Sequence, residues 1–71
     1  MEPEYNAEAE TLLRGELVSL GWGDHDGYRL RDALARRLGC EVVLSFDADE
    51  GWYLWVSETQ RQKALDRATR R

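Results

Sequence analysis

The chain has 71 residues, 14 Asp or Glu against 10 Lys or Arg, a formal net charge of −4, and one cysteine. That length holds one small domain, a lone cysteine excludes an internal disulfide, and no run approaches the roughly 20 apolar residues of a membrane span. The charge is spread unevenly: residues 1–60 carry 13 acidic side chains against 5 Arg, a net of −8, whereas residues 61–71 carry 5 basic side chains and only Asp66, a net of +4. An acidic body with a basic tail bears on partners and solubility rather than on fold.

Residues 6–20 read as a first helix, with Asn6 as N-cap and Glu8 and Glu10 in the first turn, where the helix dipole favours anions. At 100° per residue Ala9, Leu12, Leu13, Leu17 and Leu20 share one face. Glu16 falls inside that arc, so either Gly15 loosens the helix or Glu16 pairs with an arginine at the edge of the core. Residues 21–27 contain three glycines and read as a loop. A second helix follows, capped by Asp24 or Asp26, with Leu30, Ala33, Leu34 and Leu38 as its apolar stripe and Gly39 at its stop. Asp32 stands at helical spacing between Arg29 and Arg36 and is expected to pair with them.

Residues 40–46 and 52–56 alternate as two strands around the turn Asp47-Ala48-Asp49-Glu50-Gly51. A symmetric turn sets Phe46 against Trp52, Leu44 against Leu54 and Val42 against Val56 on one side, with Trp52 read as core. Val43, Tyr53 and Trp55 occupy the other side, which a helix or a partner must cover. Ser57-Glu58-Thr59-Gln60 matches a capping box and opens a third helix with little apolar content: Ala64, Leu65 and Ala68. The expected fold is α+β, a single compact domain over residues 1–71. Its order is helix, helix, β-hairpin, helix, with a two-stranded antiparallel sheet and with residues 1–5 and 67–71 frayed.

Three acidic groups stand out as candidate partner-binding residues: Glu4 and Glu8 near the N-terminus, Asp24 and Asp26 in the glycine loop, and Asp47, Asp49 and Glu50 in the hairpin turn. Trp22, Tyr53 and Trp55 are candidate aromatic anchors, because Trp and Tyr are common binding hot spots. No catalytic or cofactor signature is present, and no cofactor is expected. Asp47, Asp49 and Glu58 sit at positions 1, 3 and 12 of a calcium loop, but Gly51 comes one place early and position 5 lacks an oxygen side chain. One His and one Cys are too few for a zinc site within a monomer. Cys40 reads as a small buried hydrophobe rather than a nucleophile, and His25 as a solvated loop residue. The basic tail lacks the interleaved aromatics of a nucleic-acid platform and adjoins an acidic body that repels phosphate.

In size, acidity and lack of catalytic motifs the chain resembles the small phage-encoded anti-CRISPR proteins, several of which look like DNA surfaces to the effectors they block. That class shares no common motif, so no site residue is carried over from it. The Arg-rich, Ile-free composition suits a GC-rich bacterial or phage genome. The resemblance implies a non-enzymatic inhibitor in the cytoplasm of a bacterial host. It would dock carboxylates on a basic, nucleic-acid-binding protein surface as a monomer or homodimer, without direct nucleic-acid or membrane contact. The alternatives are a nucleic-acid-binding regulator using residues 61–71 and a small assembly protein that dimerises through Tyr53 and Trp55.

Overall fold

A computed structural model describes residues 5–23 and 26–69. The chain runs α1 (Asn6–Leu13), β1 (Val18–Gly21), α2 (Gly27–Leu38), β2 (Val43–Asp47), β3 (Gly51–Trp55) and α3 (Glu58–Thr69). The expected order of two helices, a hairpin and a helix is therefore wrong, and so is the two-stranded sheet. The sheet has three antiparallel strands in the order β1-β3-β2.

The first helix stops early because Gly15 terminates it. Gly15 has φ +82, a left-handed conformation that costs glycine little. The Glu16 amide donates to the Thr11 carbonyl at 3.1 Å and the Gly15 amide to the Leu12 carbonyl at 3.0 Å. These two bonds are a Schellman ending, which satisfies carbonyls the helix leaves unpaired. Beyond it the residues expected to extend the helical stripe become β1, where Val18 and Leu20 pack on the core and Leu17 is left 56% exposed. Asn6 is the first helical residue rather than the cap, and Tyr5 precedes it at φ 53 with no capping hydrogen bond from its side chain.

The other local signals hold more closely. The Asp26 carboxylate caps α2 by accepting from the Arg29 amide at 3.2 Å, and Gly39 ends that helix by donating to the Ala35 carbonyl at 2.8 Å. Asp32, however, pairs with its neighbour Arg31 at 3.0 Å, and Arg29 pairs with Asp26 at 3.1 Å, so the expected Arg29–Asp32–Arg36 set does not form. The hairpin register sets Phe46 against Trp52 and Leu44 against Leu54. Ser57 accepts from the Gln60 amide at the start of α3, and that helix continues through Arg67 to Thr69.

Two layers result, in a molecule 39 × 31 × 16 Å across its Cα atoms. Ala9 and Leu12 of α1, Leu34 and Leu38 of α2, Ala64 of α3, and Cys40, Val42 and Leu54 are buried together in one core. Burial raises the Cys40 thiol above its ordinary pKa, against a smaller opposing pull from Lys63, so the group stays a neutral core side chain. The sheet's far face carries Ser19, Val43, Ser45, Tyr53 and Trp55, none of which packs on that core. There the Trp55 indole Nε1 donates to the Ser45 hydroxyl at 2.9 Å.

Candidate binding surface at one end of the sheet

β1 ends where β3 begins, because the two strands are antiparallel, and the β2–β3 turn lies at that same end. The approach is close. A Cβ on Gly51, whose φ is +88, would stand 2.6 Å from the Gly21 carbonyl oxygen, so only glycine lets β1 close on β3 here. This closure delivers Trp22, the residue after β1, onto the hairpin.

The Trp22 and Phe46 rings meet edge to face, with centroids 5.3 Å apart and planes at 89°, and Phe46 lies 5.0 Å from Trp52. Edge-to-face contact is a favoured arrangement of aromatic quadrupoles. Phe46 and Trp52 share the side of the sheet that holds Leu44 and Leu54, yet at this end they lie outside the core cluster. Phe46 is 49% exposed and Trp22 58%, and Trp52 is half-buried. The reading of Trp52 as core is therefore corrected: it belongs to a surface cluster of three aromatics.

The acidic turn borders this cluster. Asp47 builds the turn, its Oδ1 accepting from the amides of Asp49 at 2.7 Å and Glu50 at 3.2 Å. That Asx arrangement leaves the side chains of Asp49 and Glu50 exposed, and neither forms an ion pair among the described residues. The surface thus joins apolar rings to unpaired negative charge.

The candidate residues named from the sequence divide into several places. Trp22, Asp47, Asp49 and Glu50 come together at this end. Asp26 serves as the α2 cap, and its charge is engaged by Arg29. Glu8 lies in the first turn of α1, and Tyr53 and Trp55 lie on the open face. Glu4 and Asp24 lie outside the described residues, as does His25. Phe46, like Trp52, is a member that sequence reasoning missed as a surface group. Its alternation with Leu44 predicts the inward side, and only the extent of the helical layer shows that the cover stops short of it.

At the opposite end of the strands, a cation holds two helices together. Arg61 on α3 pairs with Glu58 at 2.8 Å and donates from Nη1 to the Leu13 carbonyl at 3.3 Å, at the end of α1. The same arginine, followed by Gln62, holds the Glu58 carboxyl below its ordinary pKa through hydrogen bonds and charge. The Arg67 side chain lies so close over Gly39 that a Cβ there would meet it at 2.0 Å. Arg61 therefore ties α3 to the end of α1, whereas Arg67 is exposed and lies over Gly39 without a hydrogen bond or ion pair among the described residues. Arg70 and Arg71 lie outside the described residues.

Among the described residues, no group of three or more His, Cys, Asp or Glu side chains is placed to hold a metal ion. No described helix is long and apolar enough to cross a membrane. No protein-family model, curated protein or solved structure matches the chain.

Proposed function

We propose that this protein is a non-enzymatic binding protein that docks the acidic, aromatic end of its sheet on a basic surface of a nucleic-acid-binding protein and so blocks that surface. The observation that carries the reading is the junction of the Trp22–Phe46–Trp52 cluster with the Asp47–Ala48–Asp49–Glu50 turn. Exposed aromatics supply the apolar centre of an interface, and unpaired carboxylates beside them steer it toward Lys and Arg. Proteins that grip DNA present such cations, because neutralising phosphates supplies much of their affinity. The resemblance to anti-CRISPR proteins suggests one fitting class of partner, a CRISPR-type effector of a bacterial host, in which case the action would take place in the bacterial cytoplasm.

A direct nucleic-acid role for residues 61–71 is less favoured, because one of their five cations is used inside the molecule and the acidic body beside them repels phosphate. Arg61 is spent on Glu58 and the end of α1.

The reading is tested with the intact protein immobilised beside an Asp49→Lys/Glu50→Lys variant and exposed to bacterial lysate. The expected result is capture of a protein that binds duplex DNA by itself, releases that DNA when the soluble wild type is added, and is lost from the variant. Capture should weaken steeply as salt rises, since charges separated by more than about 8 to 10 Å are screened at physiological ionic strength. Equal capture by both forms, or a captured protein whose DNA binding is undisturbed, sinks the proposal.

A further inference from the structure

The chain contains one complete set of aromatic ring, arginine and carboxylate. On α2 the Arg31 guanidinium carbon lies 5.0 Å from the centroid of the Tyr28 ring, and its Nε and Nη2 donate to Asp32 Oδ1 at 3.1 and 3.0 Å. A guanidinium is planar, so one cation can set its face on a ring and its N–H edge on a carboxylate. The acidic end of the sheet has the rings and the carboxylates of such a set without the arginine. Trp22 and Phe46 are 58% and 49% exposed, and among the described residues no Lys or Arg lies over either ring or pairs with Asp49 or Glu50.

We infer, resting on the docking surface proposed above, that this end of the sheet takes an arginine side chain of its partner, with the guanidinium against the Trp22 ring and its N–H edge on the carboxylates of Asp49 and Glu50.

The backbone sets the placement. The pairing of β1 with β3 ends with Gly21 against Trp52, and a Cβ on Gly51 would stand 2.6 Å from the Gly21 carbonyl oxygen. Trp22 and Glu50 flank that approach, Trp22 following Gly21 and Glu50 preceding Gly51. A ring and a carboxylate at neighbouring positions suit a single guanidinium, which is attracted within about 6 Å of a ring centroid. Both parts are held before a partner arrives. Trp22 is braced edge to face by Phe46, and the Asp47 carboxylate fixes the turn by accepting from the Asp49 and Glu50 amides. Groups ordered in advance lose less freedom on binding.

Carboxylates alone attract lysine and arginine alike, and the exposed rings separate the two. A lysine ammonium is compact and strongly hydrated, whereas a guanidinium is weakly hydrated and stacks on aromatic faces with its N–H donors still free. Arginines of nucleic-acid-binding proteins hold phosphates and pair with guanine edges, so an arginine engaged here is withdrawn from DNA.

The test is an NMR titration of the isotope-labelled full chain with two capped peptides of equal length and charge, Gly-Arg-Gly-Arg-Gly and Gly-Lys-Gly-Lys-Gly. The arginine peptide is expected to bind about two- to five-fold more tightly, with shifts concentrated at Trp22, Phe46, Asp49 and Glu50. Trp22→Ala should bring the ratio of the two affinities to about one, and Trp22→Phe should keep part of the preference, while circular dichroism shows the fold retained. Equal affinity of the two peptides for the wild type, with both lost from Asp49→Lys/Glu50→Lys, overturns the arginine assignment and leaves the acidic docking surface standing. An arginine preference that survives Trp22→Ala, shifts confined to Tyr53 and Trp55, or no binding of either peptide overturns it as well. If Trp22→Ala fails to fold, the wild-type ratio and shift map decide together with Trp22→Phe.

Discussion

The two ends of the sheet use charge differently. At the basic end Arg61 is built into the structure, bonded to Glu58 and the Leu13 carbonyl. At the acidic end Asp49 and Glu50 project from a turn that Asp47 alone builds. A count of charges treats both ends as equivalent patches. Their contacts do not: Arg61 holds α3 to the end of α1, whereas the two carboxylates are left for a partner.

The largest expected effect removes the strand common to both ends. Leu54 is fully buried on the central strand, and Leu54→Ala should cost about 2 to 5 kcal/mol, enough to unfold a small domain. Leu17→Ala should stay within about 0.5 kcal/mol in the same denaturation series, because Leu17 is largely exposed. Equal losses for the two would contradict the core described here.

Gly51→Ala attacks the acidic end through its backbone. The new Cβ meets the Gly21 carbonyl and the positive φ becomes strained, so a loss of at least about 1 to 3 kcal/mol is expected by chemical denaturation. Tryptophan emission, to which Trp22 contributes with Trp52 and Trp55, should shift in this variant as the Trp22–Phe46 contact changes. Unchanged stability and emission would mean that β1 does not close on β3 as described.

Arg61→Ala probes the basic end and should cost about 1 to 2 kcal/mol, since a half-buried charged donor to a helix-end carbonyl is lost. Asp49→Lys/Glu50→Lys should instead stay within about 0.5 kcal/mol of the wild type while losing the captured partner. Reversal of these two outcomes would exchange the roles assigned to the ends.

The smallest effect is a pH dependence at Glu58. Its carboxyl is held below the ordinary value in the folded chain, so its contribution is present above about pH 4.3, the usual glutamate value, and is lost as pH falls through the folded value. The difference in Tm between wild type and Glu58→Gln should therefore be greatest near neutrality and shrink as the pH falls below the usual glutamate range. A difference that does not change with pH would show that the Arg61 pair contributes through something other than charge.

Local chemistry made α2, the hairpin and the start of α3 legible in the sequence. Asp26, Gly39, the Phe46–Trp52 register and Ser57 each act within a few residues of their effect, so no distant contact is needed to read them. Gly15 also carried its signal, since a glutamate on the apolar arc directly after it marked the helix as inconsistent there. The residues after Gly15 were ambiguous, because Leu17-Val18-Ser19-Leu20 suits a helical stripe or a strand equally well. The free edge of β3 settled them as a strand by offering hydrogen-bond partners that no local pattern reveals. The candidate surface divided in the same way. Composition pointed to its aromatic and acidic residue types, but tertiary structure chose the members. The helical cover stops short of Phe46 and Trp52, and the backbone of Gly51 admits Gly21 and brings Trp22 beside them.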